Sequence, residues 1–167
     1  TTEFLQGHLR EESGVRLIRE PAQGLSHARN AGGRAARGDF LCYIDDDGRI
    51  SSGYLPKLLA ILDGQRPDFV GGPVVPFYTS RKPFWFQDVL ETRRHADTSG
   101  FHDCPLSGGN FVVRRDLLEA LGMFSTAFGM IGDTVRLGDE RELLERYRQS
   151  RSASAWRTSY ALECVLL

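Results

Sequence analysis

Three consecutive carboxylates, Asp45-Asp46-Asp47, are the residues of this chain best suited to chemistry. They follow an apolar run, Phe40-Leu41-Cys42-Tyr43-Ile44, and precede Gly48. A buried strand that ends abruptly in acids delivers them to the edge of a sheet, where open α/β folds bind ligands. Clustered like charges are costly unless a cation neutralises them, and hard oxygen ligands suit Mg²⁺ or Mn²⁺. A metal held there would bind a phosphate. A solvated turn explains the same triplet, because Asp and Gly are common turn formers.

A basic segment lies just upstream. Gly24-Leu25-Ser26-His27-Ala28-Arg29-Asn30-Ala31-Gly32-Gly33 continues through Arg34 and Arg37 to Gly38-Asp39. Ser26 suits a helix cap and Gly38 a helix stop, so the spacing predicts a short helix between them. It carries Arg29, Arg34 and Arg37 and no acid, which favours a phosphate by charge. A solvated basic face is the alternative.

Two later segments carry polar groups. Leu106-Ser107-Gly108-Gly109-Asn110 leads into Phe111-Val112-Val113. Paired glycines allow close backbone approach, and Asn110 offers an amide to ligand hydroxyls, although a tight turn accounts for both. Gly138-Asp139-Glu140 opens a helix whose apolar face is Leu143, Leu144 and Tyr147. Acids in a first turn are also expected from the helix dipole, so capping competes with catalysis for Asp139 and Glu140.

The elements that must position these residues alternate. Phe4, Leu5 and Leu9 have helical spacing, and Val15 to Ile18 reads as a strand. Tyr54 to Leu62 reads as a helix with Pro56 in its first turn. Phe69 to Val75 reads as a strand broken by glycine, Asp116 to Gly122 as a short helix, and Ala161 to Leu167 as a core strand. This order predicts an α/β fold with a mostly parallel central sheet flanked by helices. Between Pro76 and Pro105 the pattern is irregular; Phe84 is expected in the core, while Trp85 stands open between core packing and stacking on a sugar.

Composition bounds the rest. At 167 residues, with 41% hydrophobic and 26% charged residues, the chain suits one soluble globular domain. A net charge of −1 gives no reason to expect a nucleic-acid partner. Cys42, Cys104 and Cys164 are an odd set without paired metal spacing, as in a reducing compartment such as the cytoplasm. No apolar stretch is long enough to span a bilayer.

Together the segments resemble the family 2 glycosyltransferases, enzymes of the GT-A fold. Four blocks carry the resemblance, in the family's order. They are Gly24-Leu25-Ser26 with Ala28-Arg29-Asn30 and Gly32; Gly38-Asp39 through Tyr43-Ile44 to Asp45-Asp46-Asp47; Gly108-Gly109-Asn110 with Arg114-Arg115 and Gly122-Met123-Phe124; and Gly138-Asp139-Glu140-Arg141-Glu142-Leu143. The resemblance implies transfer of a sugar from a nucleotide-diphosphate sugar to a sugar or lipid-linked sugar acceptor, with inversion. It implies Asp47 and Asp45 at a divalent metal, Mg or Mn, and Asp45, Asp46 and Arg29 beside the nucleotide. Gly109, Asn110 and Trp85 would complete the substrate surface. Glu140 would be the catalytic base, with Asp139 the rival because the family's acid order is reversed here.

The family's opening nucleotide-binding strands have no counterpart before Val15, so residues 1–167 read as a single partial catalytic domain. The resemblance also extends to peripheral association with the inner face of a membrane. Two other readings are a non-catalytic binding module derived from a transferase and, less favoured, a haloacid-dehalogenase-type phosphohydrolase. The latter wants its acidic strand near the domain's start and a Thr or Val soon after, where this chain has Gly48-Arg49.

Overall fold

The computed structural model describes residues 14–131, 134–136 and 138–167. The helix expected around Phe4, Leu5 and Leu9 lies outside them. Five strands form one sheet: β1 (Phe40–Ile44), β2 (Phe69–Gly71), β3 (Gly100–Phe101), β4 (Asn110–Arg114) and β7 (Thr158–Tyr160), in the order β1-β4-β2-β7-β3. A separate hairpin pairs β5 (Gly129–Ile131) with β6 (Thr134–Arg136). The helices are α1 (Leu25–Ala35), α2 (Tyr54–Gln65), α3 (Arg115–Ala120) and α4 (Asp139–Gln149). No helix among the described residues is long and apolar enough to cross a membrane.

The α/β class holds, but the strand directions refine the expected parallel sheet. β1, β2 and β7 share one direction, yet the reversed β4 stands between β1 and β2. Only β2 and β7 therefore form a parallel ladder, and β1, expected at the centre, is an edge strand among the described residues. An apolar run encodes burial, not direction, so the reversal was not legible in β4's sequence.

Strand alternation divides the core between the two faces. Phe111 and Val113 of β4 join Leu41, Phe69, Leu118, Phe124, Leu143 and Tyr147 on one face, under α4. Val112 and Val70 point the other way, onto Tyr54, Leu58 and Leu62 of α2. Each large apolar side chain so buried contributes roughly 1.5–3 kcal/mol. Pro56 does sit in the first turn of α2, as expected. Helix α1 packs over β1, where its Gly33 approaches Leu41, Tyr43 and Met123 closely.

Other expectations give way to tertiary context. Val15 to Ile18 form no strand, and Val15, Leu17 and Ile18 are exposed. Gly24, not Ser26, is the N-cap of α1. The expected terminal strand is shortened to a bridge at Leu166, which pairs with both Ile50 and Val74. Phe84 is not in the core; it is fully solvent-exposed.

Candidate active site

The acidic triplet leaves the end of β1 in a turn closed by the Gly48 amide on the Asp45 carbonyl at 3.0 Å. The turn is fixed from beyond, because Arg49 and Leu167 exchange backbone hydrogen bonds of 2.8 and 2.7 Å. Asp45 and Asp47 then line a cleft of about 530 Å³ with Arg49, Phe77, Arg93 and Ser107. Asp46, between them, is exposed and does not line it. The strand-end placement is thus as expected for Asp45 and Asp47, on an edge strand instead of a central one.

A buried arginine ties this turn to the start of α4. The Arg29 Nη1 donates to Asp139 Oδ2 at 2.6 Å and lies 3.8 Å from Glu140 Oε2. Its Nη2 reaches within 4.0 Å of Asp45 Oδ1. The guanidinium also rests 5.4 Å from the Phe124 ring centroid, which fixes its plane. Arg29 is thus a buried connector, while Arg34 and Arg37 are exposed at the far end of α1.

The two acids opening α4 have different surroundings. Gly138 enters the helix at φ 105°, a conformation that suits glycine, and no side chain caps the end. Asp139 is buried and turned onto Arg29 and the Ser26 hydroxyl, 3.3 Å away, instead of onto its own backbone amides. Simple capping therefore does not describe it. Burial works to raise the Asp139 carboxyl, but the hydrogen bond from Glu140 and the Arg29 charge outweigh it and hold it below the usual range. Glu140 is partly exposed, and burial together with the hydrogen bond to Asp139 raises its carboxyl. Pairs of carboxyls pushed apart in this way are a mark of acid–base sites.

The paired glycines form the floor between the two acidic elements. A Cβ on Gly108 would meet Arg29 Nη2 at 2.5 Å and Glu140 Oε1 at 3.2 Å. A Cβ on Gly109 would meet Asp45 Oδ2 at 2.5 Å. Adjacent residues of one turn thus touch Glu140 and Asp45, which brings the two carboxyls to a common floor. Gly109 and Ser107 line the cleft, whereas Asp139 and Glu140 do not; Glu140 borders the neighbouring Gly108.

Asn110 corrects its expectation. It is fully buried, accepts from the Tyr54 hydroxyl at 2.6 Å, and donates to Cys164 O at 2.8 Å and Pro73 O at 3.2 Å. Both amide protons and the carbonyl oxygen are engaged inside the fold, and full burial keeps the amide away from a ligand hydroxyl. Trp85 is neither core nor part of the cleft lining: it is exposed beside Phe86.

Sequence reasoning missed Ser26 as a contact of Asp139, and Phe77, Arg93 and Ser107 as cleft walls. Ser26 was visible only as a cap, and the walls depend on tertiary pairing. Arg93 is set at the rim by its backbone bridge to Val74, with bonds of 2.8 and 3.0 Å. A second cavity of about 630 Å³ lies at the opposite sheet end, but Arg114 there is tied to Asp116 and Arg115 to Gly38 O.

The resemblance implies a divalent cation at this turn. Two carboxylates from one turn line the cleft, and among the described residues no group of three or more His, Cys, Asp or Glu is placed to hold a metal ion by itself. Such a set fits a hard cation that keeps waters and takes substrate phosphate oxygens, as Mg²⁺ does.

Comparison with known proteins places this arrangement. The profile of Glycosyl transferase family 2 matches residues 1–122, which include the acidic turn and the glycine floor but stop short of α4. The glucosyl-dolichyl phosphate glucuronosyltransferase of Haloferax volcanii is 30% identical over 118 residues, covering 66% of this chain and 37% of its own length. The succinoglycan biosynthesis protein ExoM of Rhizobium meliloti is 26% identical over 156 residues, 81% of this chain and 49% of its own. The chain thus spans less than half the length of these relatives. Among solved structures, S. aureus TarS 1-349 in complex with UDP-GlcNAc superposes with a TM-score of 0.65 at 12% identity, over 99% of this chain and 44% of TarS. That likeness establishes a GT-A-type fold, and the profile match establishes the lineage: the chain belongs to glycosyl transferase family 2.

Proposed function

We propose that this domain belongs to a metal-dependent, inverting glycosyltransferase that moves a sugar from a nucleoside-diphosphate sugar to an acceptor hydroxyl. The observation that carries the reading is the Arg29 junction, which joins Asp45 of the β1 turn to Asp139 and Glu140 of α4. Asp45 and Asp47 would hold Mg²⁺ or Mn²⁺, which when bound offsets charge on the diphosphate leaving group. Asp139, locked on Arg29, keeps its charge and orients the helix start. Glu140, the more accessible acid, accepts the proton of the acceptor hydroxyl as that oxygen attacks the anomeric carbon. Attack opposite the departing diphosphate inverts the anomeric centre. Family membership sets aside the phosphohydrolase reading.

Named activities of the relatives support a sugar or lipid-linked sugar acceptor, as in polysaccharide biosynthesis. Three free thiols, two of them buried, accord with a cytoplasmic setting. The test is calorimetry of UDP binding to the intact protein with Mn²⁺ or with chelator, in wild type and Asp47→Ala. Binding that needs Mn²⁺ and is lost in Asp47→Ala is expected; equal binding by both proteins contradicts the metal assignment. Binding without any turnover of nucleotide sugars would favour the non-catalytic module instead.

A further inference from the structure

We infer that Ser107 is a further substrate contact of the acidic cleft, its hydroxyl donating a hydrogen bond to the donor's diphosphate, and that His95 is the residue that positions it. The Ser107 side chain lines the cleft that Asp45 and Asp47 also line, and it takes no part in the chemistry given above. His95 does not line the cleft; its Nε2 lies 3.2 Å from Ser107 Oγ.

Both residues are fixed. The Ser107 carbonyl accepts from the Asn110 amide at 2.9 Å, which closes the glycine turn on a fully buried residue. The His95 backbone amide donates to the Tyr160 hydroxyl at 3.0 Å, and its ring stands edge-on to the Tyr160 ring with centroids 6.3 Å apart. Tyr160 is fully buried at the end of β7. A line of contacts therefore runs from the sheet through Tyr160 and His95 to a hydroxyl at the cleft wall.

The surroundings decide what that hydroxyl does. Asp45 and Asp47 offer only acceptor oxygens, and a phosphate beside them adds more. A donor is what this wall must supply. Burial, followed by the Arg93 charge, holds the His95 imidazole below its usual range, so the ring is neutral at pH 7. With the proton on Nε2 the ring donates to Ser107 Oγ and leaves the hydroxyl proton for the cleft. Arg49 and Arg93 also line this space, which suits an anionic oxygen. A Ser–His pair can instead begin a nucleophilic triad, but that needs a third group to orient the base. Among the described residues no carboxylate hydrogen-bonds the His95 ring. Positioning, not nucleophilic attack, is the role this geometry supports.

Given nucleotide-sugar transfer at this cleft, on which the assignment rests, the test is calorimetry of the intact protein with UDP and Mn²⁺. Ser107→Ala should bind UDP about tenfold more weakly, as expected for one lost hydrogen bond to a charged group, while Ser107→Thr keeps the hydroxyl and most of the affinity. His95→Phe keeps a ring against Tyr160 but loses the nitrogen, and should weaken UDP to a similar degree. His95→Gln, which returns an N–H near the same place, should restore most of it. The double variant Ser107→Ala/His95→Phe should be no weaker than Ser107→Ala alone, because His95 acts through Ser107. Circular dichroism should be unchanged throughout. Wild-type UDP affinity in Ser107→Ala, with wild type binding UDP normally, overturns this assignment and leaves the transferase reading intact. Fully additive losses in the double variant overturn the positioning role of His95. A wild type that binds no UDP overturns the transferase reading and the Ser107 contact with it.

Discussion

Arg29 and Asp139 form a 2.6 Å ion pair with side-chain exposures of 7% and 4%. Breaking one partner of such a pair leaves the other charge buried and unmatched, which costs about 3–5 kcal/mol. Asp139→Asn should therefore lower stability in urea by an amount of that order, and Arg29→Met similarly. If Asp139→Asn unfolds at the wild-type midpoint, Asp139 is not the structural member of the acidic pair.

The glycine floor makes a steric prediction. Gly109→Ala places a methyl 2.5 Å from Asp45 Oδ2, so the carboxylate must move. Mn²⁺-dependent UDP binding should weaken by about tenfold, the effect of a misplaced ligand beside an otherwise intact site. Gly32→Ala, in α1 with nothing within 4 Å of its added methyl, is the control. It should leave binding alone and raise stability by up to about 1 kcal/mol. Equal binding by both variants would separate Asp45 from the site.

Much of this was legible in the sequence. The run Phe40 to Ile44 ending in acids gave the strand and the turn, and Gly138 before Asp139 gave the start of α4. The sheet's mixed direction was not legible, since β4 looks apolar whichever way it runs. Asn110 misled because an amide after two glycines looks ligand-facing; its partners, Tyr54, Pro73 and Cys164, converge only in the folded chain. Phe84 misled because an aromatic is most often buried, and only the folded chain reveals that it points outward.

Asn110 supplies its own check. Asn110→Ala would strand the Tyr54 hydroxyl and two buried carbonyls, at roughly 1–3 kcal/mol for each group left unsatisfied. Stability should fall by several kcal/mol while UDP affinity of the folded protein is retained. A variant of wild-type stability that has lost UDP affinity would return Asn110 to the ligand surface.

The raised Glu140 carboxyl, at about 7, carries a pH dependence of both activity and stability. A base works unprotonated, so turnover should rise with pH through that region. The folded state prefers the protonated form, so stability declines as pH rises from the ordinary glutamate value through about 7, then levels off. Glu140→Gln removes that decline and should be more stable than wild type at pH 8 by roughly 1–3 kcal/mol, with the gap closing at pH 4. Parallel stability profiles for the two proteins would contradict the shifted carboxyl.

Turnover by Glu140→Gln tests the proposed chemistry most directly. With the intact protein, a nucleotide-sugar donor and an acceptor, release of nucleoside diphosphate is measured beside donor affinity. Glu140→Gln should lose about 10²-fold or more in turnover with donor binding nearly unchanged, since the base acts only in the transition state. Full activity in Glu140→Gln, with loss confined to a folded Asp139→Asn, would contradict the assignment and make Asp139 the base.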